Sequence, residues 1–281
     1  MWLAVCNELF GDRPFPEQCR LAAVHGFHGI ELAPYTLAED PTRMPPARRR
    51  ELRRTLEESG LTCAGLHWLL KAPAGLHLTT GDAAVRQRTW EAMRRLVDLC
   101  RDLRGEVMVL GSGKQRGAQG VSRSEACRFL QEGLTALAPH AKGAGVRVLV
   151  EALPAAVTDV VNTLDEARQV IAAIGSPAVA GIFDFHNAKD EGEPWDRLIA
   201  RHFDIIRHVH LNEVDGRHPS PTARPGRAHS DFAPAFRALA ERRYPGWVSL
   251  EIFHADDPPE AILPETRSVL AHLESPSETS A

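Results

Sequence analysis

The chain contains no run of roughly 18 apolar residues, so no stretch has the length that a membrane-crossing helix needs. It also lacks any C-x-x-C pair, and its five cysteines (Cys6, Cys19, Cys63, Cys100 and Cys127) are an odd number. That count and spacing exclude a zinc knuckle or a disulfide framework and predict free, buried thiols in a reducing compartment. Positive charge is not in excess: 33 Lys and Arg stand against 37 Asp and Glu, a net charge of −4. The general attraction for phosphate backbones that a nucleic-acid binder uses is therefore missing. Aromatic residues are only 6% of the chain, too few for a base-stacking surface. No basic segment with an apolar core behind it opens the chain, so no signal peptide is read and the cytoplasm is the expected location. Finally, no G-x-G-x-x-G follows the first strand-like run, which removes the fingerprint of a dinucleotide-binding sheet.

What the chain does contain is alternation. Short apolar, β-branched runs predict strands over Trp2–Cys6, Gly29–Leu32, Thr62–Leu69, Val107–Leu110, Val146–Glu151, Val179–Asp184, Ile206–Leu211 and Trp247–Glu251. Between and after them, helical patterns fall over Phe15–His25, Pro46–Ser59, Asp82–Leu103, Ser122–Lys142, Thr163–Ile174, Trp195–His202, Asp231–Arg243 and Glu260–Leu273. Gly26, Gly60, Gly143 and Gly175 stop four of these, while Asp82 and Ser122 open two as N-caps. Repeated β-then-α units imply parallel strands joined by right-handed crossovers. Eight units in about 270 residues, with no linker-like break, predict one α/β domain over residues 1–274, a closed (β/α)8 TIM barrel. The last residues, S-P-S-E-T-S-A at 275–281, are expected to be disordered.

Four consecutive strands end in a carboxylate or an imidazole. V-R-V-L-V-E ends in Glu151, V-A-G-I-F-D in Asp184, R-H-V-H in His210 and W-V-S-L-E in Glu251. An acid at the end of a strand buried on both faces must reach a rim, where an ion, a partner or solvent can meet it. In a barrel the carboxyl ends of all strands converge on one face, so these four groups are expected around one centre. Three carboxylates and one imidazole suit a divalent ion of intermediate hardness, Mn²⁺, Mg²⁺, Co²⁺ or Zn²⁺. A Glu on such an ion can also exchange a proton with substrate through its second oxygen.

Around this arc lie weaker signals. His67 closes the third strand and His186 follows Asp184 by two positions; each is a candidate substrate contact and equally a packed or capping histidine. Arg217, in the loop N-E-V-D-G-R, could hold a hydroxyl, carboxylate or phosphate, though a loop arginine is usually just exposed. Glu8 and Glu31 near the ends of the first two strands read as salt-bridging groups inside the barrel. Trp68 and Phe185 could wall a sugar site, with core packing as the default. The loop G-S-G-K-Q-R-G looks like a phosphate cradle without matching the P-loop pattern, so Lys114 and Arg116 are expected to be solvated charges.

At these segments the chain resembles the xylose isomerase-like TIM barrel superfamily, and within it the sugar phosphate isomerase/epimerase proteins. The resemblance spans most of residues 1 to 273 and rests on V-L-V-E-A-L-P, F-D-F-H-N-A, H-V-H-L-N-E and G-W-V-S-L-E-I-F, with G-F-H-G-I-E-L near the second strand. It implies a divalent metal held by Glu151, Asp184, His210 and Glu251. The implied substrate is a small ketose or polyol, whether phosphorylated or not, turned over through an enediolate with Glu151 and Glu251 as the proton-transfer pair. His67, His186 and Arg217 resemble the polar substrate contacts. One departure stands out: family members commonly carry Asp-x-x-His after the sixth strand, whereas here Asp184 and His186 are separated by one residue. The extra His and Asp ligands of the related AP endonucleases are not matched, so neither nucleic acid nor a membrane is expected as a partner, while a homo-oligomer stays open. Two alternatives to an isomerase or epimerase remain at this level: a metal-dependent dehydratase or lyase on a cyclic polyol, and a non-catalytic sugar-binding barrel.

Overall fold

Eight short strands, each flanked by buried apolar side chains, carry the architecture. They are β1 (Trp2–Cys6), β2 (Gly29–Leu32), β3 (Thr62–Leu66), β4 (Val107–Leu110), β5 (Arg147–Val150), β6 (Val179–Asp184), β7 (Ile206–Leu211) and β8 (Trp247–Leu250). In the computed structural model, which describes residues 1–274, they close into a parallel barrel in chain order, with β1 paired to β8. The predicted TIM barrel is therefore the observed fold. The 275–281 segment expected to be disordered lies outside the described residues. Among the described residues, no helix is long and apolar enough to cross a membrane.

The helices α1 (Phe15–Val24), α2 (Pro46–Glu58), α3 (Ala83–Asp102), α4 (Arg123–Ala144), α5 (Leu164–Ile174), α6 (Trp195–His202), α7 (Ala233–Glu241) and α8 (Pro259–Glu274) follow the strands one by one. Their starts are legible in the side chains. Asp82 accepts from the backbone N–H groups of Ala84 and Val85, and Ser122 with Glu125 forms a reciprocal capping box. Asp231, expected inside α7, instead lies two residues before it and accepts from the Ala233 N–H. β3 is shorter than its apolar run suggested. Trp68 adopts a left-handed backbone (φ 49°), which turns the chain away from the ladder just after His67.

Period-2 alternation splits each strand between two environments. Outward residues such as Val148, Val150, Val179 and Phe183 join the large core beneath the helices. Val107, Val109, Leu149, Ala180 and Ile182 form a separate, smaller apolar cluster on the opposite face, inside the barrel. Continuing that inner parity brings Glu151 two residues after Leu149 and Asp184 two after Ile182. The other half of the interior is polar. Cys6, Glu31, His208, His210 and Ser249 are all at most 2% exposed and lie on β1, β2, β7 and β8. The barrel is thus plugged by hydrocarbon on one side and by hydrogen-bonded groups on the other.

Candidate active site

Strand register sets the site. Asp184 on β6 stands opposite His210 on β7, and His210 opposite Ser249 on β8, two residues before Glu251. Glu151 and Glu251 lie one residue past their strands yet keep the ladder, since their N–H groups donate to Leu110 O (3.4 Å) and Leu211 O (3.2 Å). The four groups predicted from the strand ends therefore share one rim. One ligand atom from each of Glu151, Asp184, His210 and Glu251 lies within 4.8 Å of the others, and all four residues are buried. His210 Nδ1 is the hub: it stands 2.9 Å from Glu251 Oε2, 3.4 Å from Asp184 Oδ2 and 3.7 Å from Glu151 Oε1.

That nitrogen fits a metal for a specific reason. It is buried and makes no hydrogen bond of acceptable geometry despite three carboxylate oxygens nearby. The other ring nitrogen is occupied. Nε2 meets Glu31 Oε1 and Oε2 at 3.2 Å each, and His208 Nε2 meets Glu31 Oε2 at 2.8 Å. With Nε2 as the donor, Nδ1 is left facing the three carboxylates, and the bond to Glu31 orients the ring as it would a ligating histidine. Charges follow the same logic. Burial chiefly, with the charges of Asp184 and Glu251, pushes the Glu151 carboxyl up to about 7. Burial would also raise Glu251, but His210 and His67 outweigh it and lower that carboxyl. Burial opposes the charge on His210, yet Glu251 and Glu31 raise its pKa well above the usual histidine range. Without an ion, protons hold this crowd of acids together; a divalent cation does the same work and lets all three ionise.

Glu31 was legible only as a salt-bridging acid, and the pairing of His208 with His210 on one face escaped the sequence reading, although the H-V-H spacing carries it. Glu31 and both histidines are completely buried. Replacing Glu31 by Ala would leave two imidazoles without an acceptor, and removing one member of such a buried set costs about 3–5 kcal/mol. Chemical denaturation of Glu31→Ala should show a loss of that size; a loss under about 1 kcal/mol would contradict the role given to Glu31. A second group of potential ligand atoms, on Cys6, Glu31, His67 and His210, lies behind the first. Burial pushes the Cys6 thiol up to about 12, so it stays neutral, and Glu31 is already shared by two imidazoles. This inner group reads as a hydrogen-bonded plug and not as an ion site.

In front of the cluster opens a cavity of about 510 Å³, lined by Glu151, Glu251, His67, Trp68, His186 and Asn187 among others. Asp184 and His210 are not part of its lining; they lie behind the two glutamates. His67 touches Glu251 Oε1 through Nδ1 (3.0 Å) and faces Glu8 Oε2 through Nε2 (2.7 Å). Glu8 also accepts from the Tyr35 hydroxyl at 2.9 Å. Asn187, three residues after Asp184, reads from sequence only as a possible cap, but its amide donates to Glu151 Oε1 (3.0 Å) and its N–H to Asp184 Oδ1 (2.8 Å). It occupies the place in Asp-x-x-Asn where a histidine was the expected pattern. The shortened spacing puts His186 at the cavity wall instead, with its N–H on Asn212 Oδ1 (2.8 Å) and its ring 5.0 Å from that of Phe253. Gly111 leaves room for Glu151, because a Cβ there would come within 2.2 Å of Oε2.

Two expectations are corrected, for Arg217 and Arg116, while Phe185 follows its core-packing default. Arg217 does not line the cavity; its guanidinium is held by Asp256 (2.6 Å) and Asp215 (3.2 Å) in the loops beside it. Arg116 is no solvated charge: it is completely buried and donates to Leu110 O (2.8 Å) and Val161 O (3.4 Å), tying the loop after β4 to the one after β5. Phe185 packs in the core against Phe183, Trp195, Phe232 and Phe236, so of the two candidate aromatics only Trp68 reaches the cavity.

A closed parallel (β/α)8 barrel, with acids and an imidazole gathered at the carboxyl ends of its last strands in a pattern suited to a divalent ion, is the class of protein these observations define. Residues 19–273 match the family described as xylose isomerase-like TIM barrel, and the chain belongs to that family. Solved structures agree in fold. A 3-keto-D-glucoside 4-epimerase, YcjR, from E. coli superposes with a TM-score of 0.80 at 21% identity, covering 97% of this chain and 98% of that one. A D-psicose 3-epimerase from Clostridium cellulolyticum H10 gives 0.80 at 16% over 97% and 98%, and an L-ribulose 3-epimerase 0.81 at 19% over 97% and 94%. No curated protein sequence matches the chain.

Proposed function

We propose that the chain is a divalent-metal-dependent isomerase or epimerase of a small ketose or polyol, with Glu151 and Glu251 as its proton-transfer pair. One observation carries this reading. Of the four converging residues, the two glutamates face the cavity, while Asp184 and His210 stand behind them. A site built only to bind needs ligands; this one also presents two separately tuned carboxylates to whatever enters.

Glu151, Asp184, His210 and Glu251 would hold the ion, which when bound supplies Lewis acidity to a substrate carbonyl and its neighbouring hydroxyl. The remaining work falls to the protein. Glu251, with Oε1 held by His67 and its pKa lowered, is ionised and suited to accept the proton next to the carbonyl. Glu151, the other glutamate of the cavity lining, is placed to return a proton to the other face of the resulting enediolate. Asn187 and Gly111 fix its direction, since one donates to Oε1 and the other gives Oε2 space. Trp68 and Leu153 supply apolar wall, and His186 a polar one. The solved structures named for sugar epimerisation share this fold, and the choice of reaction rests on the two cavity-facing glutamates.

The test is a panel of ketoses and polyols in heavy water with Mn²⁺ present, read by NMR for deuterium entering at the carbon beside the carbonyl. Incorporation with interconversion of epimers or of aldose and ketose is the expected result. No exchange with any member of a broad panel, by protein shown to hold metal, would overturn the reading.

A further inference from the structure

Arginine carries almost all the positive charge of this chain. Only four of its 33 Lys and Arg are lysine: Lys71, Lys114, Lys142 and Lys189. Two of those four line the cavity, and Lys189 reaches within 3.4 Å of His186 Nε2, a third cavity residue. The arginines are mostly spoken for by acids, as in Arg13–Glu260, Arg217–Asp256 and Arg224–Asp257. Lys71 and Lys114 are different: both are exposed, and among the described residues neither pairs with a carboxylate. Lys71 is steadied instead by aromatic faces, with its ammonium 3.8 Å from the centre of the Tyr35 ring and 5.4 Å from that of Trp68. A compact ammonium offers three donors and no acceptor, so it is a point charge waiting for an anion.

A third group belongs to the same wall. Ser112, between Gly111 and Gly113, is held in a left-handed backbone (φ 35°), a conformation that serine rarely adopts. It is 5% exposed, lines the cavity, and its buried Oγ has no hydrogen-bond partner. A strained serine with an unanswered hydroxyl, two residues from an unpaired lysine, calls for a ligand oxygen.

We propose that Lys71, Lys114 and Ser112 form an anion subsite at the cavity wall that receives a phosphate or carboxylate carried by the substrate at the end remote from its reacting carbonyl. The inference rests on the floor of the same cavity being the reaction site. It sorts the cavity by charge: acids and an ion-type cluster take the carbonyl end, and two lysines take the anionic end. A substrate with one charged terminus is thereby oriented as well as attracted.

The experiment compares wild type with Lys71→Gln, Lys114→Gln and the double variant on matched ketoses that differ only in their far end: hydroxyl, phosphate or carboxylate. Deuterium exchange gives kcat and KM, and calorimetry gives binding of the same sugars. Wild type should favour a charged ketose over its neutral match by at least tenfold in kcat/KM. The double variant should lose about ten- to a hundredfold on the charged one, mostly in KM, the scale of a lost charged hydrogen bond. Its loss on the neutral match should be at least tenfold smaller. Lys142→Gln, at the far end of α4, serves as the control and should change neither. Whichever anion, phosphate or carboxylate, shows the larger lysine-dependent preference is the group the subsite takes. Equal use of charged and neutral ketoses by wild type, or equal losses on both in the variants, would overturn the subsite and leave the proposed function intact. If no ketose exchanges but charged sugars bind in a lysine-dependent way, the subsite stands and the proposed reaction falls.

Discussion

Excess chelator is expected to lower the proposed exchange activity by about a thousandfold, corresponding to the several kcal/mol that a Lewis acid contributes to the barrier. Adding back Mn²⁺ or Co²⁺ should restore it. The argument runs from the cluster itself. Three carboxylates around one imidazole nitrogen, all buried, cannot ionise together without a positive charge at their centre. His210 Nδ1 has no hydrogen bond of acceptable geometry, and Glu31 keeps the other nitrogen engaged, so the ring is fixed with Nδ1 turned to that centre. Thermal denaturation offers a readout independent of turnover: the apo protein should melt lower and recover with metal. The pH dependence has a definite sign. Glu151 holds its proton up to about 7, and the raised His210 must also lose one to bind an ion. Apparent metal affinity should therefore fall as pH drops, through about 7 for Glu151 and from higher pH for His210, measurable by competition with a chelating dye. Undiminished exchange in metal-free protein would refute the mechanism.

The second large effect belongs to the glutamate pair. Glu251→Gln keeps the shape of the side chain and one oxygen, but it cannot accept a proton. Exchange of the substrate proton with solvent should drop about 10²- to 10⁴-fold, the usual worth of a positioned base. Glu151→Gln should do the same to the opposite half-reaction. Each variant should still take up metal, though more weakly, because Asp184 and His210 remain behind the missing charge. Metal analysis separates loss of the ion from loss of the base. If Glu251→Gln with full metal occupancy exchanged protons at the wild-type rate, Glu251 would have no part in proton transfer.

The barrel and the four converging groups were readable before any coordinates, because both are written as local patterns. A strand that ends in an acid announces a rim, and four such ends in a row announce a shared one. Residues whose role depends on who stands across the barrel were not readable. Arg116 and Lys114 share one loop and looked alike, yet one side chain turns inward to bond two carbonyl oxygens and the other stays at the cavity. Arg217 looked like a ligand contact because one of the two acids that hold it, Asp256, lies 39 residues away on another loop. Asn187 carried a signal only in its distance from Asp184, and nothing local says that it reaches Glu151, 36 positions earlier.

Composition and order along the chain were enough to specify alternating strands and helices, the caps that open α3 and α4, and an acid or imidazole at the end of each of the last four strands. These follow from short-range rules: side-chain period, capping and the cost of burying charge. Barrel closure alone decided how those groups are wired. It brings β2 within reach of β7, so that Glu31 meets His208 and His210 across separations of 177 and 179 residues. That single contact divides the two nitrogens of His210 between a structural partner and an open coordination site. The physical reason is that a buried imidazole's chemistry is set by whatever occupies its other nitrogen, and that neighbour comes from the far side of the fold.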